Sequence, residues 1–313
     1  MACRPVMLMK TFEMFAGYGG GSFALKRLGV DFECVGFSEI DKSAIQCYRQ
    51  NHMGPTNYGD CQFINPITIR DFDLLLGGFP CQAFSQAGKH LGESDTRGTL
   101  FYDIVRILEA KQPKFFLLEN VKGLTYSNHR ETFATILNEL KRVGYVVKWN
   151  LMTSRDYGVP QSRSRVYFVG VRNDVKFDYS FPKPRPLTKF LKDIIDSDSE
   201  VVSIARRNKN RSKHQHQGLE YGTFPKEYHL VHNKDIGVSY TVKSALHECM
   251  VGHHLDGEYS NVRNLTASEC FALMGFEKRE INLNGISNTQ QLKMAGNGWD
   301  INIISLILAN LPL

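Results

Sequence analysis

The chain has 313 residues, a formal net charge of +6 and seven cysteines. That length sets a prior of about two domains with a sizeable core, and the charge permits a polyanionic partner without requiring one. Cys3, Cys34, Cys47, Cys61, Cys81, Cys249 and Cys270 form no Cys-x-x-Cys pair, which argues for reduced thiols in a cytoplasm rather than a disulfide framework. No apolar stretch reaches the length of a bilayer span, and Met1 to Lys10 lack the apolar region of a signal peptide.

In chain order, segments 11–15, 33–38, 71–76, 115–118, 146–151 and 166–171 read as strands. Segments 23–28, 42–50, 100–110 and 131–143 read as helices between them. The alternation predicts a doubly wound α/β sheet with ligands at the carboxyl ends of its strands. Pro182, Pro184 and Pro186 then break the pattern. We divide the chain into a catalytic body over 1–184, a smaller unit over 185–288, and a final segment over 289–313 that returns to the body. Residues 187–262 have weak periodicity, as a small irregular domain would, and 301–308 form an apolar helix that must be buried against the main sheet.

Three polar segments stand beside the apolar runs. The run at 74–79 ends in Pro80-Cys81, the run at 115–118 ends in Glu119-Asn120-Val121, and Gln161-Ser162-Arg163-Ser164-Arg165 leads into the last strand. A thiol, a carboxylic acid and two guanidiniums are what attack on an unactivated pyrimidine requires. A thiolate adds to carbon 6 only when ring nitrogen 3 is protonated or strongly hydrogen-bonded, and an arginine fork can hold the ring oxygen. A lone cysteine is more often a small buried hydrophobe, and a lone glutamate a surface group. The ordered conjunction carries the weight.

Gly17, Gly19 and Gly20 follow the first strand and let a ligand approach the backbone closely. A glycine loop alone is a weak signal, compatible with nucleotides, flavins or a plain turn. Glu39 ends the second strand, where an acid can accept hydrogen bonds from ribose hydroxyls. Arg206-Arg207-Asn208-Lys209-Asn210-Arg211 is a dense cationic stretch, either a phosphate contact or a solvated loop. His247, Cys249, His253 and His254 match no standard zinc spacing, so no metal is expected.

These motifs together resemble the DNA cytosine-C5 methyltransferases of the bacterial and phage type, across nearly the whole chain. Phe15-Ala16-Gly17-Tyr18-Gly19-Gly20 resembles their cofactor loop, and Gly78-Phe79-Pro80-Cys81-Gln82-Ala83-Phe84-Ser85 their nucleophile motif. Asp95 to Phe101, Glu119-Asn120-Val121, Gln161 to Arg165, Leu265-Thr266 with Glu269, and Leu273-Met274-Gly275-Phe276 follow in family order. The resemblance implies S-adenosylmethionine as methyl donor, bound by Phe15, Gly17, Tyr18, Gly19, Gly20, Glu39, Ile40, Asp60, Pro80, Leu100 and Asn297. It implies Cys81 as nucleophile, Glu119 as the acid, Arg165 on the ring oxygen and Arg163 orienting the acid. Gln82, Ser85, Lys89 and Arg97 would contact double-stranded DNA around an extruded base, at a cost of about a few kcal/mol for extrusion. Arg206, Arg207, Lys209 and Arg211 would be phosphate contacts to DNA, and Thr241 would belong to the target-recognition region.

The chain departs from the family in one place: Gly298-Trp299 stands where Ser-Val usually follows Gly-Asn. A monomer acting beside a separate restriction endonuclease is the expected arrangement. The alternatives are a transfer RNA cytosine-C5 methyltransferase, whose Cys-Phe-Thr signature is absent, and an inactive DNA-binding regulator, disfavoured because every motif residue is present.

Overall fold

The computed structural model describes residues 8–80, 100–195, 231–233, 239, 242, 250–255 and 258–313. Strands β1 (Met9–Met14), β2 (Phe32–Ser38), β3 (Thr56–Asn57), β4 (Leu74–Gly78), β5 (Phe115–Val121), β6 (Tyr145–Thr153) and β7 (Ser164–Arg172) form one sheet. Their order is β3-β2-β1-β4-β5-β7-β6. β1 to β5 pair in parallel, and β7 runs antiparallel to both β5 and β6. The winding direction reverses between β1 and β4, and the crevice there is where such sheets bind ligands.

Period-2 patterning explains why both faces are covered. Leu74, Leu76, Phe115 and Leu117 point to one core, and Leu75, Phe116 and Leu118 to another. Helices α1 (Gly20–Arg27) and α2 (Lys42–Asn51) cover the first face, and α3 (Leu100–Lys111) and α4 (Arg130–Arg142) the second. From the far end of the chain come α5 (Ala267–Leu273), α6 (Asn288–Asn297) and α7 (Ile301–Leu308). α7 packs on α1, with Ile303, Ile304, Ile307 and Leu308 essentially without solvent contact. Its amino end is capped by Asp300, which accepts from the Asn302 and Ile303 amides at 3.0 and 3.1 Å.

The body continues past the proline run on one side and resumes well before α6 on the other. Leu191, Leu265, Phe271, Leu273, Phe276 and Ile286 share the core that holds Leu74 and Leu76. Arg27 pairs with Glu280 at 2.5 Å, and Asn51 bonds residue 282 through both its amide groups. We therefore propose that the smaller unit lies between Ile195 and Leu265, inside the expected 185–288. Prolines mark an extended segment here rather than the edge of the core, which continues in Leu191. The described part of that unit is a three-stranded sheet of β8 (Val231–Asn233), β9 (Met250–Leu255) and β10 (Glu258–Asn264), in the order β10-β9-β8.

Among the described residues no helix is long and apolar enough to cross a membrane.

The central pairing is tight where Gly170 of β7 faces Phe116 of β5. A Cβ at Gly170 would overlap the Phe116 ring. Gly170→Ala is expected to destabilise the fold by about 1–3 kcal/mol through overpacking, read as a lowered midpoint in urea with an unchanged slope.

Candidate active site

The acid end of the site is set by strand register. Gly78, three residues before Cys81, lies opposite Glu119 in the β4–β5 ladder, and Val121 lies opposite Arg165 in the β5–β7 ladder. Arg165 Nε donates to Glu119 Oε1 at 2.8 Å, and the two side chains expose only 15% and 12% of their area. Burial pushes the Glu119 carboxyl above the ordinary carboxylate range, while Arg165 and then Arg163 pull it back without cancelling the rise. Such a carboxyl can keep and deliver a proton. Asn120 is buried beside it, and its amide donates to the Phe79 carbonyl at 3.0 Å. The Glu-Asn-Val motif therefore has two jobs: Glu119 pairs with Arg165, and Asn120 fixes the chain two residues before position 81.

The Gln-Ser-Arg-Ser-Arg motif divides in the same way. Only Arg165 meets Glu119. Arg163, expected from the sequence to orient the acid, is buried and donates to the carbonyls of Gly296 at 3.0 Å, Gly298 at 2.8 Å and Val242 at 3.4 Å. Its hydrogen bonds make it a positioning residue, and its effect on Glu119 is through charge alone. Burial lowers its own pKa to about 10. Gln161, which sequence reasoning left without a role, is fully buried; it accepts from the Val242 amide at 3.0 Å and donates to the Leu273 carbonyl. Ser239 is held too, since its carbonyl accepts from the Ser162 amide and its amide donates to the Pro160 carbonyl, each at 2.7 Å. Gln161 and Arg163 thus tie together Val242, the end of α5 and the end of α6.

At the carboxyl end of β1, Phe15 leaves the strand with φ +54°, a conformation a bulky residue rarely adopts, and Gly17 and Gly19 follow at +56° and +86°. The Gly17 amide donates to Glu39 Oε2 at 2.9 Å, and Glu39 Oε1 accepts from the amides of Ile40 and Asp41 at 2.8 and 2.9 Å. Three of the roughly four acceptor positions of this carboxylate are therefore used by backbone, and about one remains for a ligand. Ile40 is 69% exposed beside it. Asp60 uses Oδ1 to cap the following turn, accepting from Gln62 at 3.0 Å, and its other oxygen has no partner among the described residues. Pro80 and Asn297 are exposed, and Leu100 opens α3.

The Tyr18 side chain belongs to the core, being 1% exposed and packed edge-on against Phe23, Phe271 and Phe276. Its hydroxyl donates to the Trp299 carbonyl at 2.5 Å, so only its backbone can meet a ligand. Sequence reasoning also passed over Glu13. This buried acid near the end of β1 accepts from the Ser22 amide at 3.0 Å and the Tyr48 hydroxyl at 3.2 Å, bracing the start of α1 behind the glycines. Burial raises its pKa. An acid at the inner end of the strand Met9–Met14, between Phe12 and Met14, was the available signal.

Cys81, Gln82, Ser85, Lys89, Arg97, Arg206, Arg207, Lys209, Arg211 and Thr241 lie outside the described residues. Ser239 and Val242, on either side of Thr241, are the anchored ones.

A family model described as C-5 cytosine-specific DNA methylase matches residues 9–312. The chain belongs to that family. It is 36% identical over 310 residues to the type II methyltransferase M.NlaX of Neisseria lactamica, covering 96% of this chain and 95% of that one. M.HaeII of Haemophilus aegyptius is 38% identical, with 96% and 92% covered, and M.HhaI of Haemophilus parahaemolyticus 33%, with 97% and 94% covered. The DNMT2 structure from Spodoptera frugiperda superposes with a TM-score of 0.74 at 22% identity, covering 96% and 98% of the two chains. A likeness at that identity carries the fold alone.

The ion pair predicts a pH effect with a defined sign. Proton donation by Glu119 is lost as pH rises through its pKa, and Arg165 holds that pKa down. Arg165→Ala should slow single-turnover methyl transfer and move its alkaline limb upward by about 1 pH unit or more. A limb that stays put or moves downward would contradict the pairing.

Proposed function

We propose that this chain methylates carbon 5 of cytosine within one short double-stranded DNA sequence, through a covalent adduct at Cys81. The observation that carries the mechanism is the buried Glu119–Arg165 pair, set by strand register beside the strand that leads to Cys81.

The chemistry follows from the residues. The Cys81 thiolate adds to carbon 6 of the extruded base while Glu119 donates its proton to nitrogen 3, which neutralises the charge that addition places on the ring. Arg165 holds the ring oxygen through donors not used on Glu119. Carbon 5 becomes nucleophilic as a result. S-adenosylmethionine, the methyl donor of the family, supplies an electrophilic methyl group on a sulfonium. Loss of the carbon 5 proton to a base then restores the ring double bond and expels the Cys81 thiolate, and nitrogen 3 returns its proton to Glu119.

The residues of the switch-point crevice fit that donor. The left-handed turn from Phe15 to Gly19 opens the backbone, Glu39 and Asp60 each keep a free acceptor for ribose and the adenine amino group, and exposed Ile40 offers an apolar wall. Gly20, Pro80, Leu100 and Asn297 complete the proposed contact set.

Substrate contacts are assigned on the same footing. Gln82, Ser85, Lys89 and Arg97 would surround the extruded nucleotide, and Arg206, Arg207, Lys209 and Arg211 would neutralise phosphates and make binding salt-dependent. Thr241 would belong to the recognition unit, between residues that Gln161 and the backbone at 160–162 anchor. A cytoplasmic monomer that shields DNA from a separate restriction endonuclease suits the type II methyltransferases it resembles.

DNA in which cytosine is replaced by 5-fluorocytosine tests the proposal, because fluorine cannot leave as a proton does. With S-adenosylmethionine, the wild-type chain should form a complex with this DNA that survives denaturing electrophoresis, and Cys81→Ala should form none. An adduct with the variant, or none with the wild type, would overturn the covalent mechanism.

A further inference from the structure

The Gly298-Trp299 pair, which departs from the family pattern, has a physical explanation. The Tyr18 ring occupies the space beside residue 298: a Cβ at Gly298 would overlap ring carbons and lie 2.5 Å from the hydroxyl oxygen. Glycine is the residue that fits beneath that ring. The same tyrosine donates to the Trp299 carbonyl at 2.5 Å, and Arg163 donates to the Gly298 carbonyl at 2.8 Å. Two donors from different elements therefore pin this short stretch of backbone and fix where the indole goes.

The indole crosses the switch point. A Cβ at Gly20 would lie 3.1 Å from Trp299 Cβ, and a Cβ at Gly78 would lie 2.5 Å from Trp299 Nε1 and 3.2 Å from Glu119 Oε2. One end of the side chain thus rests on the glycine loop after β1, and the other reaches the end of β4 beside the acid. Trp299 packs against the main core yet stays only partly buried, and its contacts with Gly20 and Gly78 set it beside the crevice outside β1 and β4. A ligand seated on the glycine loop with its reacting end at Pro80 must run along that strip.

We propose that Trp299 is a cofactor-positioning residue, whose indole walls the methionine end of S-adenosylmethionine and favours its sulfonium through the ring face. This rests on the cofactor site proposed above. Indole is the strongest aromatic partner for a cation, and the sulfonium carries a full positive charge. The demethylated product is a neutral thioether, so the same wall favours substrate over product.

That difference separates a specific role from a merely structural one. Calorimetric titration of the full chain should show Trp299→Val weakening S-adenosylmethionine binding about tenfold, with a distinctly smaller loss for S-adenosylhomocysteine. Trp299→Phe should keep most of the preference. Equal losses for both ligands, or none, would overturn the proposal. The chain's other tryptophan, Trp149, is 46% exposed on β6 at the edge of the sheet. In Trp149→Phe, S-adenosylmethionine should therefore change the emission of Trp299, and an unchanged spectrum would also overturn the assignment. Glu39→Ala is the control for the site: if it weakens both ligands while Trp299→Val weakens neither, only the tryptophan's role falls. If neither variant changes either affinity, the site falls with it.

Discussion

A carboxyl whose pKa lies above the ordinary carboxylate range needs an environment that disfavours its charge, yet Glu119 also stands within 2.8 Å of a guanidinium that favours it. The structure resolves the conflict by burial. Desolvation at the end of β5 outweighs the pull of Arg165 and Arg163, so the acid stays above its ordinary range while the arginine remains at hand. Open this corner to water and the desolvation would disappear, whereas the cation would remain. Everything packed around the carboxyl ends of β4 and β5 and the amino end of β7 serves to keep it closed.

Much of that packing comes from distant parts of the chain. Gln161 and Arg163 spend their donors on carbonyls of Leu273, Gly296, Gly298 and Val242, so β7 begins at a knot of four segments. Buried carbonyls without partners would cost about 1–3 kcal/mol each, which is why two long polar side chains are retained in a core. The same knot sets Trp299 across the crevice and anchors the residues around 239–242. The anchored residues Ser239 and Val242, the end of α6 and the strand that carries Arg165 are in this way joined through backbone atoms.

The parallel body was legible because its strands are apolar runs ended by glycines and its helices carry clear periodicity. The helix expected over 42–50 is found at Lys42–Asn51, that over 100–110 at Leu100–Lys111, and the apolar segment 301–308 at Ile301–Leu308. Two-residue β3 has no periodicity to read. α1 begins at Gly20, before its first apolar residue, because glycines that look like loop also supply the opening turn. α5 and α6 were not read from the sequence, since short helices separated by a loop that holds Gly275 and Gly285 show little pattern. In the site, residue identities were readable but directions were not. Tyr18 turned inward and Arg163 turned to the carbonyls of α6 for reasons that lie more than 100 residues away in the chain.

Base-resolution mapping of 5-methylcytosine is the most direct test of the whole account. The DNA would be plasmid from a methylation-free host expressing this chain, with Cys81→Ala in parallel. The account predicts complete methylation at one short sequence and none with the variant. Unmethylated DNA from cells that contain the folded wild-type protein would contradict it, as would the same methylation in the variant.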